Sequence, residues 1–170
     1  MKEEFDIVIK DNFLDKNIFE KIHKKINTFI YFHNKNHQKD KSPKGYNHIW
    51  YSRDAEDEIR TIVKNKCEKV FNKKFKVKIC SYTMLASVEP LVHTDYYYCD
   101  YQAIIYIKGN TNLHKGTGFY LNDKLNTHIG FNENRAVLWR SNNFHSPLNW
   151  ASDDKSKRYS IICQLIEIKN

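Results

Sequence analysis

His93 and Asp95 stand two residues apart in the stretch Leu91-Val92-His93-Thr94-Asp95. In extended backbone, residues i and i+2 point to one face, so an imidazole and a carboxylate can converge there on one ion. A nitrogen and an oxygen ligand together suit a borderline metal such as iron, zinc or manganese. Alone, the tripeptide is a weak signal, because a surface His near an Asp ordinarily forms a solvated pair. Other side chains along the chain give it company. His145 lies in Ser141-Asn142-Asn143-Phe144-His145-Ser146-Pro147. The final apolar run, from Arg158 to Leu165, places Arg158 and Ser160 on one strand face. An arginine in an Ile/Leu-rich strand is costly to bury without an anionic partner, so Arg158 is expected to have one.

The elements that position these residues follow from periodicity. Ile7 and Ile9, with Phe5 before them, read as a first strand. Asp15 is placed to cap a helix whose apolar stripe is Ile18, Phe19, Ile22 and Ile26. A polar stretch from His33 to Gly45 reads as a mobile loop, and Asn47 to Tyr51 as a short strand or aromatic loop. A second helix, about Asp54 to Asn72, aligns Ile59, Ile62, Val63, Cys67, Val70 and Phe71 at helical spacing. From Phe75 the period becomes two, with Phe75, Val77, Ile79 and Ser81 alternating against Lys76, Lys78, Cys80 and Tyr82. Further strands are expected over Tyr101–Ile107, Gly116–Leu121, Arg135–Trp139 and Arg158–Leu165. Two helices followed by a run of strands predict helices covering one face of an antiparallel sheet.

A chain of 170 residues suits one domain with a real core. The expected division is an N-terminal strand and helical support over 1–74 and the main strands over 75–170. Eleven Tyr and ten Phe favour a sheet-rich interior. No apolar run is long enough to span a membrane, and the first residues lack the apolar core of a signal peptide. A cytoplasmic protein is expected, with its four cysteines as reduced, mainly buried thiols. No C-x-x-C spacing points to a zinc knuckle. The net charge of +8 invites a nucleic-acid partner. The lysines are spread along the chain, however, so a generally basic surface is the reading favoured over nucleic acid.

The order His-x-Asp, distal His, Arg-x-Ser resembles the Fe(II)/2-oxoglutarate-dependent oxygenases, in their prolyl-hydroxylase-like branch. His145 follows His93 by 52 residues and Arg158 follows His145 by 13, with Gly116-Thr117-Gly118-Phe119 between. The similarity spans roughly Tyr82 to Leu165. It implies a double-stranded β-helix, a jelly-roll or cupin-like α+β architecture that is mainly β, with two supporting helices. It implies that His93, Asp95 and His145 ligate Fe(II), leaving three open positions for the cosubstrates 2-oxoglutarate and O2. Arg158 would pair through its planar fork with the distal carboxylate of 2-oxoglutarate, and Ser160 would add a hydrogen bond. Tyr82 and Tyr106 are candidates for a phenolic donor to the same cosubstrate, with core packing as the alternative for each. His114 and His128 sit in turns and lack the Arg-x-Ser strand behind them. Related halogenases carry a small residue in place of the carboxylate, so Asp95 points to hydroxylation.

Two other readings compete: a cupin-like zinc or manganese enzyme whose Arg158 serves an acidic small molecule, and a non-catalytic binding module on the same fold. Nucleic-acid demethylases of the AlkB type carry a second Arg six residues after the cosubstrate Arg. Here that position is Gln164, so a small molecule or a protein side chain is the expected substrate. Tyr97, in strand-like backbone, would share the side of Asp95. With Trp150 it forms a candidate substrate rim, and closure of the barrel end by these rings is the alternative.

Overall fold

The computed structural model describes residues 7–33, 50–85, 92–109, 111, 113–148 and 157–169. Trp150 and the stretch 34–45 of the expected mobile loop lie outside them. In chain order the elements are β1 (Val8–Lys10), α1 (Lys16–Lys25), β2 (Phe32–His33), β3 (Trp50–Asp54), α2 (Asp57–Phe71), β4 (Phe75–Leu85) and β5 (Tyr101–Lys108). There follow β6 (Gly116–Leu121), β7 (Lys124–Gly130), β8 (Ala136–Arg140), β9 (Phe144–Leu148) and β10 (Arg158–Glu167). Seven strands form one sheet in the order β1-β8-β5-β10-β4-β3-β2, and three form a second in the order β7-β6-β9. All named strand pairs are antiparallel. This is the double-stranded β-helix expected from the sequence, with β1, β2 and β3 from the N-terminal part widening the larger sheet.

Alternation along each central strand divides the buried side chains between two layers. Tyr101, Ala103, Ile105 and Ile107 of β5, with Tyr159, Ile161, Cys163 and Leu165 of β10, face the helices. There they meet Ile22 and Ile26 of the first helical segment and Ile59, Val63 and Cys67 of α2. Each fully buried aliphatic chain contributes roughly 1.5–3 kcal/mol, so this layer seats the helices. Ile104 and Tyr106 of β5 and Val137 and Trp139 of β8 turn the other way. They meet Phe119, Ile129 and Phe131 between the two sheets. The candidate site is built in this second layer.

Several local features depart from the expected pattern. Asp15 does occupy the position before α1, but its carboxylate makes no cap. It receives Lys66 Nζ at 2.9 Å instead, tying α1 to α2. Helix α2 begins at Asp57, because Asp54 belongs to β3. It ends at Asn72, whose left-handed φ of 51° suits a residue tolerant of that conformation. The strict alternation over β4 fails at Lys78. The β4–β10 register slips between Gln164 and Leu165, pairing them with Ile79 and Val77. The extra residue in β4 is a bulge, which reverses the facing beyond it. Ile79 is exposed, while Cys80 and Tyr82 join the helix-side core. The sequence pattern also passed over β7 and β9. Among the described residues no helix is long and apolar enough to cross a membrane.

Candidate metal centre

Backbone pairing brings the two histidines together. His93 N donates to His145 O at 3.0 Å, and His145 N returns the bond to His93 O at 2.9 Å. Residues directly opposite on antiparallel strands point to one face, and the two ring centroids lie 4.4 Å apart. Asp95 is pinned by its own N–H to Ser141 O at 3.0 Å. Its carbonyl accepts the N–H groups of Tyr98 and Cys99 in the turn that follows. Ser141 Oγ in turn donates to Cys99 O. One ligand atom from each of His93, Asp95 and His145 lies within 4.8 Å of the others.

The geometry fits a shared metal ion. Asp95 Oδ2 stands 3.3 Å from His145 Nε2 and 3.8 Å from His93 Nε2. Two ligands ~2.1 Å from one ion and at right angles are themselves ~3 Å apart, so slight closing completes the set. His145 Nδ1 lies 3.1 Å from the Asn143 carbonyl. A carbonyl only accepts, so Nδ1 carries a proton, and Nε2 is the nitrogen that would ligate a metal. Asp95 Oδ2 is buried and has no hydrogen-bond donor among the described residues. A cation held by the three side chains would satisfy that oxygen. Burial by itself raises the Asp95 pKa. His145 beside the carboxylate, then His93 and the Gln102 amide, more than offset this and hold it below the ordinary value. The carboxylate is therefore ionised at neutral pH, as a ligand must be.

A second polar cluster lies on the same inter-sheet face. Arg158 is only 2% exposed. Its Nη1 donates to Gly116 O at 3.2 Å, and its guanidinium carbon lies 5.6 Å from the Tyr106 ring centre. Burial pulls the guanidinium down to about 10, against the opposing influence of Tyr106, so it keeps its proton at neutral pH. Ser160, directly across from Tyr106 in the β10–β5 register, has a buried Oγ without a hydrogen-bond partner among the described residues. Tyr106 shares a 2.6 Å hydrogen bond with Thr117 Oγ1. Gly116 is needed where it stands. At its φ of +155°, a Cβ would come within 1.9 Å of Ile129 O, so a side chain there would displace the carbonyl that holds Arg158.

Tyr82 does not join this cluster. It pairs with Ile161 across the β4–β10 ladder, whereas Thr83 opposes Ser160 and Leu85 opposes Arg158. Its hydroxyl donates to Glu56 Oε2 at 2.5 Å on the helix side. Its role is thus core packing, the alternative reading for this residue. Tyr82→Phe should cost about 1.5–3 kcal/mol of stability through the lost bond to a charged group. It should leave affinity for 2-oxoglutarate unchanged; denaturant unfolding and a ligand titration check the two halves. Tyr97 is also placed differently. Residues 96–98 form a turn, not a strand, and Tyr97 is 78% exposed with its ring 3.7 Å from that of Tyr96. It is not part of the core. Two residues that sequence reading passed over reach the centre. Gln102 is buried and its amide helps to lower the Asp95 pKa, and Trp139 packs edge-on to the His145 ring at 4.9 Å. A polar amide inside the apolar strand Tyr101–Ile107 was the available signal for Gln102.

No family model and no curated protein matches this sequence. Solved structures do resemble the fold. A prolyl hydroxylase from Trichoplax adhaerens, in complex with a hypoxia inducible factor peptide fragment, aligns over 95% of this chain and 83% of its own, with a TM-score of 0.69 at 12% identity. A prolyl-4-hydroxylase from Pseudomonas putida aligns over 97% and 94%, with a TM-score of 0.66 at 12% identity. HygX from Streptomyces hygroscopicus, with nickel, 2-oxoglutarate and hygromycin B bound, aligns over 95% and 82%, with a TM-score of 0.64 at 8% identity. The chain has the double-stranded β-helix fold of the 2-oxoglutarate and Fe(II) oxygenases.

Proposed function

We propose that this chain, acting as a single domain, is an Fe(II)- and 2-oxoglutarate-dependent oxygenase that hydroxylates its substrate. The observation that carries the reading is the shared layer. A His-Asp-His set with a carboxylate oxygen unsatisfied among the described residues, and a buried arginine beside a serine hydroxyl equally unsatisfied among them, lie between the same two sheets. His93, Asp95 and His145 would hold the iron. When bound, iron supplies the oxidative chemistry: one oxygen atom of O2 ends in succinate, as 2-oxoglutarate loses CO2, and the other in the hydroxylated substrate. The Asn143 carbonyl fixes the His145 tautomer so that Nε2 faces the ion. Arg158 and Ser160 bind the distal carboxylate, and the surrounding apolar side chains exclude water and strengthen that pairing.

A thermal-shift panel tests the reading. Mn(II) alone should stabilise the protein, and Mn(II) with 2-oxoglutarate should stabilise it further; a ligand at 100 times its Kd adds about 2.7 kcal/mol. Metal stabilisation without any 2-oxoglutarate effect would favour the zinc or manganese enzyme acting on an acidic small molecule. Binding of both without turnover of 2-oxoglutarate would leave a binding module.

Substrate class is open to the same assay. The structural neighbours include one with a peptide fragment and one with hygromycin B, so both peptides and small molecules belong in the panel. We place Tyr97 at the substrate rim, where an exposed aromatic offers rigid contact area. Tyr97→Ala should preserve folding, metal binding and uncoupled decarboxylation of 2-oxoglutarate, and should reduce only the increment that substrate adds. Equal loss of coupled and uncoupled turnover would remove Tyr97 from the rim.

A further inference from the structure

Cys80 of β4 and Cys163 of β10 stand directly opposite each other in the antiparallel ladder. Both are 0% exposed and belong to the helix-side core, so their side chains project to one face of the sheet. Backbone hydrogen bonds on either side show what kind of pair they form. Cys80 O accepts the Ala55 N–H at 2.9 Å, so the peptide groups of Cys80 turn to the β3 side. Leu165 O accepts the Asp100 N–H at 2.9 Å, so Leu165, and Cys163 two residues before it, turn theirs to the β5 side. With their peptide groups turned away from each other, the two cysteines are a non-hydrogen-bonded pair. Such pairs bring opposite Cα atoms to about 4.5 Å and their side chains to the closest approach a ladder allows. A disulfide spans Cα separations of about 4.4–6.8 Å, so this pair can be bridged without moving the strands. Both thiols are free.

We propose that Cys80 and Cys163 are an oxidation site, at which a peroxide joins them as a disulfide that staples β4 to β10. In the first step one thiolate sulfur attacks a peroxide oxygen, the O–O bond breaks, water leaves and a sulfenic acid remains. The facing thiolate then attacks that sulfur, the S–O bond breaks and a second water leaves. In all, the two thiols lose two protons and two electrons, and hydrogen peroxide becomes two waters. The strand so fixed is the one that carries Arg158 and Ser160. Cys67 shares the core cluster but sits on α2, outside the ladder, and Cys99 lies in the turn after Asp95. The neighbouring Cys80 thiol, and burial, hold the Cys163 pKa well above its ordinary value. Thiolate is therefore scarce, and oxidation runs slowly, through local opening of the helix layer over the pair.

The test treats the wild-type chain with hydrogen peroxide in the presence of a chelator, once in buffer and once in unfolding urea. Remaining thiols are capped, the protein is digested and the peptides are weighed. In buffer, the peptides bearing Cys80 and Cys163 should appear joined, two hydrogens lighter than their sum, while Cys67 and Cys99 are recovered capped. Dithiothreitol should return all four thiols. The linked protein should melt about 5–15 °C above the reduced one, because the bond closes a long loop of the unfolded chain. Cys67→Ala should form the same link, and Cys163→Ala should form none at Cys80. A sulfinic acid on either cysteine without a link, or a link that engages Cys67 or Cys99 instead, would overturn the proposal. A Cys80–Cys163 link that forms only in urea would overturn it too, as would four unreacted thiols after prolonged treatment of the folded protein.

Discussion

Replacing His145 by alanine is expected to reduce metal-dependent turnover of 2-oxoglutarate to background. The substitution removes one of three candidate ligands, and metal affinity should fall by more than the ~10–100-fold that loss of a supporting contact costs. His145 is also a packing residue, in ring contact with Trp139 and Phe119, so metal-free stability has to be measured beside activity. The comparison that isolates chemistry is His114→Ala. His114 is exposed in the turn before β6 and is no part of the three-residue set, so its loss should leave turnover and metal affinity intact. Activity that survives at His145 and vanishes at His114 would place the metal elsewhere.

The second large effect is expected at Arg158, the largest fully buried side chain among the described residues. Arg158→Lys keeps the positive charge but replaces a planar fork with a point donor. Charged hydrogen bonds are worth about 1.5–3 kcal/mol, so affinity for 2-oxoglutarate should fall about 10- to 100-fold. Metal affinity, which the proposed centre assigns to three other residues, should not move. A titration of 2-oxoglutarate into the Mn(II)-loaded variant separates the two. Unchanged affinity would show that the guanidinium serves the Gly116 carbonyl and the interior packing alone. It would then remove the observation on which 2-oxoglutarate is favoured over other acidic ligands.

Much of the architecture was legible in the sequence, because period 3.6 and period two are local properties. The stripe Ile59, Val63 and Cys67 does face the core, and the late run of strands does form two antiparallel sheets. The grouping of the candidate ligands was legible for a different reason. His93 and Asp95 are near neighbours, and His145 and Arg158 stand at separations that a recurring fold imposes on the chain. Facing was not legible wherever it depends on pairing. A single extra residue in β4 near Lys78, visible only in its register with β10, turns Tyr82 to Glu56 and leaves Thr83 across from Ser160. Likewise a turn closed by Tyr98 N–H on Asp95 O replaces the strand that would have aligned Tyr97 with Asp95.

The sequence by itself determined which residue types could hold a metal and an anion, since the chemistry belongs to the side chains and their order survives folding. Only the tertiary structure decided which atoms of those side chains are free to act. The reciprocal His93–His145 backbone bonds set the two rings side by side, and the Asn143 carbonyl turns Nε2 of His145 inward. The His93–His145 bridge joins segments far apart in the chain, whereas the Asn143 contact is local to His145. The bridge depends on how strands distant in sequence pair, which tertiary structure decides.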